Sequence, residues 1–447
     1  MQLSHADGPV TPLYSASSPR TRRLRWTAVA LLVAAGSVNY LDRAAVSVGN
    51  PEIRETLGLT YGQMGWLLSA FAWAYGLAQI PAGVLLDRYG PRRALGFGMA
   101  LWSVMQVAAG YSASLGQFLV ARVGLGLGES PMYLGGTRVC ADWFALRRRA
   151  LPIAIFNSSS ALAPALAPPL LTWLMLMFGW RRMFIVAGLA GFAVALLWAL
   201  LYRSPVAADI PQADIDEIRR DDGRPAEHVG LRQVLWLLRF RTSWGMFLGF
   251  FGVVYLYWLY ATWLPGYLES ERHLDVASAG AWTALPLGAG FLGAVSGGLI
   301  SDRLARAGYD AIRSCRIPIV WGLAAAGGFT LLGALAGNVY FALGLMAAGL
   351  FAANVSSSCG WALAAVIAPP NTVAALEAIQ NVGGSLGGAL APLITGLLVE
   401  ATGSFLPAFL LASVIAFASA VAYVMMSDRA IEALGEHSSI GAGTVAR

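Results

Sequence analysis

Apolar runs recur along the chain from residue 27 to residue 427, separated by short polar or arginine-bearing patches. Each is about 18 residues or longer, enough to cross the hydrocarbon core of a bilayer as one helix. The pattern predicts twelve spans, near 27–49, 62–86, 94–112, 116–140, 150–177, 181–202, 242–266, 278–302, 316–336, 339–367, 373–399 and 405–427. Three stretches break the pattern. Residues 1–26 and 428–447 are polar and read as disordered tails, and 203–241 reads as a polar linker. The first stretch lacks the apolar core and small-residue cleavage site of a signal peptide.

Composition agrees with a chain that lives in lipid. Of 447 residues, 57% are hydrophobic and only 12% charged, the latter about half the soluble average. Mean hydropathy is +0.63. All 30 basic residues are arginine, and they alternate between loops. Arg20, Arg22, Arg23 and Arg25 precede span 1, Arg88, Arg92 and Arg93 follow span 2, and Arg147, Arg148 and Arg149 follow span 4. The linker holds more, and Arg303, Arg306, Arg313 and Arg316 follow span 8. The other loops carry only Arg54, Arg181, Arg182 and Arg272. The positive-inside rule puts both termini and the linker in the cytoplasm. The same bias accounts for the net charge of +6, so no nucleic-acid partner is needed. Cys140, Cys315 and Cys359 have no metal-ligand spacing and read as small apolar filler.

The chain is internally duplicated. GVLLDRYGPRR at 83–93 is echoed by GLISDR at 298–303, and NSSSALAPALAP at 157–168 by NVGGSLGGALAP at 381–392. Each echo falls at the equivalent span of its half. The expected fold class is therefore an all-α polytopic membrane protein of twelve transmembrane helices in two pseudo-symmetric six-helix bundles, 27–202 and 242–427. Such repeats mark secondary transporters, with the site at the repeat interface near the midplane.

The loop motif GVLLDRYGPRR resembles the signature of the major facilitator superfamily. NYLDRAAVSV in span 1, SAFAWAYGLAQIPAGVLLDRYGPR in span 2, RVGLGLGESP in span 4 and GWRRMF before span 6 resemble its anion:cation symporter branch. That branch includes bacterial galactonate, glucarate and tartrate transporters and vesicular and lysosomal organic-anion carriers. The resemblance covers nearly all of residues 27–427.

Four charges interrupt the greasy spans of the first half: Asp42 and Arg43 in span 1, and Arg122 and Glu129 in span 4. A charge at mid-bilayer costs about 3 kcal/mol on insertion scales, so it must face the bundle interior or water. Arg122 lies roughly 9 Å and Glu129 roughly 20 Å into span 4, at about 1.5 Å per residue. Seven apart, they share one helix face. A guanidinium from Arg43 or Arg122 suits a carboxylate bidentately. Burial disfavours ionisation of a carboxyl and a neighbouring guanidinium favours it, so Asp42 and Glu129 can exchange protons. A static ion pair gains little over an apolar one, which argues for function. The resemblance implies the same assignment: acids matching Asp42 and Glu129 carry coupling protons, and an arginine of this cluster binds substrate carboxylate. It also implies substrate contacts at Trp361 and Asn381, and a longer amide in relatives where Ser160 stands. Tyr40, Tyr75 and Gln79, one turn after Tyr75, add candidate contacts, and Tyr257 and Tyr260 are expected to close the site from outside. Asn157, the repeat mate of Asn381, reads as a packing position. Asp87, Arg88, Arg92, Asp302 and Arg303 read as gating latches at the cytoplasmic side.

No P-loop or His-Glu-x-x-His motif is present, and no histidine lies deep in a span, so an enzyme is not expected. Linker and tails are too short and polar for a signalling domain. Paired arginines disfavour an exporter of cations. The expectation is a monomeric inner-membrane symporter that imports a small organic anion with protons and needs no cofactor. A sugar acid such as galactonate or glucarate fits best. Tartrate-like or aromatic carboxylates, and anion exchange without protons, remain alternatives.

Overall fold

The structure is a computed structural model, and it describes residues 18–145, 148–208, 210–219, 235–368, 372–425 and 431. The expected tails at 1–17 and, apart from Ile431, at 428–447 lie outside the described residues. So do Arg147 and the linker stretch 220–234.

Thirteen helices and no strand occur among the described residues: α1 (Pro19–Val48), α2 (Asn50–Leu57), α3 (Tyr61–Gly110), α4 (Leu115–Glu129), α5 (Pro131–Trp143), α6 (Ala150–Leu201), α7 (Gln212–Arg219), α8 (Arg241–Ser270), α9 (Val276–Arg306), α10 (Ala311–Leu335), α11 (Val339–Ile367), α12 (Val373–Thr402) and α13 (Leu406–Val424). They make twelve crossings. The long helices α3 and α6 each cross twice, turning back at Gly90 and Gly179, whose φ values of 74° and 77° suit a residue without Cβ. Helices α4 and α5 are one crossing broken at Pro131, and α1 and α8 to α13 supply the rest.

Two boundaries differ from the sequence expectation. Helix α1 starts at Pro19 rather than 27, with Ser18 accepting from Thr21 N as N-cap. The linker is not wholly irregular: α7 docks on the start of α1, where Asp214 accepts hydrogen bonds from Thr21 Oγ1 (2.6 Å) and Ser18 N (3.3 Å). Those bonds hold the first turn of α1, which hydropathy does not register.

The packing defines two ends. One carries the arginine-rich loops, α7 and the described ends of the chain. At the opposite end the two halves share one apolar core, built from Val46, Leu67 and Leu171 of the first half and Leu256, Trp263 and Leu350 of the second. Toward the arginine-rich end the core splits into two, one drawn from residues 28–218 and one from 237–431. Bonds across the halves lie in the sealed region. Ser47 Oγ donates to Thr262 O (2.8 Å), Ser69 Oγ donates to Ala389 O, and Glu400 accepts from Thr60 Oγ1 (2.9 Å). The chain thus encloses a cavity sealed at the opposite end and open toward the arginine-rich one.

Candidate functional site

The run GLGLGE explains how span 4 carries its charges to the centre. A Cβ at Gly126 would lie 2.7 Å from Phe71 O and one at Gly128 2.7 Å from Trp102 N, so only glycine lets α4 lie this close to both crossings of α3. After Glu129 the helix breaks, because Pro131 has no N–H to give Leu127 O. Ser130 Oγ donates to that carbonyl instead, at 2.8 Å. Glu129 is therefore fixed at the break, fully buried.

Across from it, α1 presents Arg43. Its Nε donates to Glu129 Oε2 at 2.8 Å, and its side chain is 9% exposed. The guanidinium carbon sits 4.8 Å from each of the Tyr40, Phe71 and Tyr75 ring centroids, an aromatic cage for a cation. Arg43 Nη2 and Glu129 Oε1 are buried without a protein hydrogen-bond partner. Behind this pair lie Asp42 and Arg122, 0% and 1% exposed. Both Asp42 oxygens and two Arg122 nitrogens likewise lack a protein partner, as do the side-chain atoms of neighbouring Asn39. Asp42 lies within electrostatic reach of Glu129, Arg122 and Arg43. Arg122 does not line the cavity, and its guanidinium carbon packs over the Phe71 ring at 5.1 Å.

The cavity between the halves has a volume of about 510 Å³. Arg43, Tyr40, Tyr75, Ser160, Tyr257, Trp361 and Asn381 line it, as expected from sequence. Asn157 lines it too, which corrects its reading as a packing residue: the two repeat-related asparagines line the same space, one from each half. Sequence reasoning also missed Tyr133, Asn354 and Ser357. The i, i+3, i+7 spacing of Asn354, Ser357 and Trp361 on α11 is a signal that could have found two of them. Gln79 is half-buried and does not line the cavity, being one turn, roughly 6 Å, nearer the arginine-rich end than Tyr75. Tyr260 is buried away from it and bonds Thr330 Oγ1 at 2.9 Å.

The family model described as Major Facilitator Superfamily matches residues 32–313. The chain belongs to the major facilitator superfamily. It is similar to the "Probable L-galactonate transporter" of Escherichia coli strain K12, with 39% identity covering 95% of this chain and 94% of that one. It is similar to the "D-galactonate transporter" of Escherichia coli O6:H1, with 32% identity covering 93% and 97%. In fold it is similar to the inward-facing, unoccupied structure of a bacterial homologue of the human lysosomal transporter Spinster. There the TM-score is 0.71 and the identity 18%, covering 92% of this chain and 96% of that one. This facilitator is thus a multi-pass membrane transporter and not an enzyme.

The expected latch residues of the facilitator lie at the open, arginine-rich end and do not bridge the halves through any bond among the described residues. Asp87 approaches Arg138 at 3.7 Å within its own half, Arg88 stacks over Tyr89, and Arg92 donates to Ala199 O. In the second half, Arg306 donates to Asp302 O, one turn back along α9. Asp302 and Arg303 end the same helix on that open side.

Proposed function

We propose that the protein is a proton-coupled symporter that imports a small hydroxylated carboxylate, a sugar acid, by alternating access. One observation carries this reading. Arg43 is the sole charged side chain among the described residues lining the cavity, and its Nε is already bonded to the buried carboxylate of Glu129. A substrate carboxylate and Glu129 therefore compete for one guanidinium. Protonation of Glu129 removes its claim and leaves Arg43 free to grip the anion. Release of the anion returns Arg43 to Glu129 once the proton leaves. Asp42 and Arg122, buried beside the pair, offer a second carboxyl for a proton and a second cation that balances the cluster. The names of the two Escherichia coli relatives, both galactonate transporters, support a sugar acid as cargo. By the positive-inside rule the arginine-rich end is cytoplasmic. The cavity then faces inward, both termini are cytoplasmic, and the membrane is the bacterial inner one. The halves are assigned to 27–202 and 242–427, with the latches of Asp87, Arg88, Arg92, Asp302 and Arg303 closing the inner side when the outer side opens.

Uptake into proteoliposomes under an imposed pH gradient, acidic outside, tests this reading. The parent is expected to concentrate a sugar acid. Glu129→Gln, which keeps shape but loses the proton, is expected to lose gradient-driven accumulation and keep substrate counterflow. Accumulation by Glu129→Gln equal to the parent's would remove Glu129 as the coupling acid, and transport in the parent that ignores the gradient would favour exchange.

A further inference from the structure

The charges of the membrane interior are distributed unequally. Among the described residues, every buried carboxyl or guanidinium group around the cavity belongs to α1 or α4, in the first half. In the second half the sequence has no lysine anywhere and no arginine between Arg316 and Arg429. Arg316 and the arginines before it stand at helix ends or in loops. The facing wall from α11 and α12 offers Asn354, Ser357 and Asn381, and α6, packed beside α1, adds Asn157 and Ser160, all uncharged amides or hydroxyls. Such groups bond hydroxyls and leave a carboxylate without a counter-charge.

We infer that this transporter takes sugar acids with one carboxylate, the aldonates, and rejects their two-carboxylate counterparts, the aldarates. The inference rests on the sugar-acid reading above and narrows it. An extended six-carbon acid that places one carboxylate on Arg43 directs its other end at the amide and hydroxyl wall. A terminal hydroxyl finds donors and acceptors there. A terminal carboxylate is desolvated with no cation to meet it, which is costly. Arg122 does not serve that end, because it belongs to the same charge cluster as Arg43, is buried and does not line the cavity.

The test is competition against a labelled aldonate by aldonate and aldarate pairs of the same sugar, galactonate with galactarate and gluconate with glucarate. Purified full-length transporter is used at pH about 7.5, where both carboxyls of an aldarate are ionised. The aldarate of each pair is expected to bind roughly 30-fold or more weakly, the penalty of a buried unpaired charge. Ser357→Arg, which sets a cation in the facing wall, is expected to narrow that ratio. An aldarate that competes as well as its aldonate overturns the inference and leaves the sugar-acid reading standing. If no acid of either kind binds, the sugar-acid reading fails and the inference falls with it. A ratio unchanged by Ser357→Arg in a variant that still binds aldonate places the missing counter-charge elsewhere and also overturns it.

Discussion

Arg43 concentrates the logic of the site in one side chain. Its guanidinium touches three rings, one carboxylate and the cavity at once. A planar fork can leave Glu129 and grip a substrate carboxylate through two parallel bonds, and a lysine ammonium has no such bidentate geometry. Arg43→Lys is therefore expected to lose a charge-assisted hydrogen bond worth about 1.5–3 kcal/mol, or roughly ten- to a hundredfold in substrate affinity. A binding titration checks it, and an unchanged affinity would move the carboxylate contact to Arg122. The four membrane charges were legible in sequence because a charge inside an apolar run has few explanations. Asn354, Ser357 and Tyr133 were not, because uncharged polar and aromatic residues also serve helix packing in lipid. Gln79 shows the limit of spacing alone. Four residues after Tyr75 put it on the same face, but the cavity stops short of it.

At the level of elements, the apolar runs located the crossings well, since their length is set by the bilayer. Hydropathy did not register α7 or the first turns of α1, which depend on Asp214 and Ser18 rather than on apolar length. Nor did it foresee the clasp at the start of α3. Thr60 caps that helix and forms a capping box with Gln63, while Glu400 of α12 reaches over from the other half to accept from Gly62 N at 2.5 Å and from Thr60 Oγ1. A carboxylate at a helix N-terminus also meets the positive end of its dipole. A cap contact of this kind is worth about 0.5–2 kcal/mol, a roughly two- to thirtyfold bias toward the state sealed at this end. Glu400→Ala is expected to speed labelling of Ser47→Cys by a membrane-impermeant maleimide applied from the sealed side. Ser47 is buried in the seal and bonded to Thr262 O. Identical labelling rates with and without Glu400 would show that the clasp carries no weight in the equilibrium.

The whole molecule is held by one core that both halves share and two that they do not. The shared core can be dismantled while each half keeps its own, which is what rocking between two states requires. The duplication that makes this possible was written in the paired motifs at 83–93 and 298–303 and at 157–168 and 381–392. What those motifs do not reveal is how far the copies have diverged in task. Among the described residues the buried charge around the cavity lies in the first copy, and the second gives a neutral, hydroxyl-friendly wall of Asn354, Ser357 and Asn381. The drive is thus encoded in the first stretch of polypeptide, and a large part of the neutral cargo wall in the second. The consequence is modularity. Changes confined to residues 242–427 can alter which acid is carried without disturbing how its movement is powered. A chimera joining residues 1–241 of this chain to the second half of a relative with a different substrate is expected to inherit the relative's choice of acid and retain dependence on Glu129. Uptake assays on that chimera, with and without Glu129→Gln, would read out both properties separately. If its substrate preference followed the first half instead, selection and drive would have to reside in the same six helices.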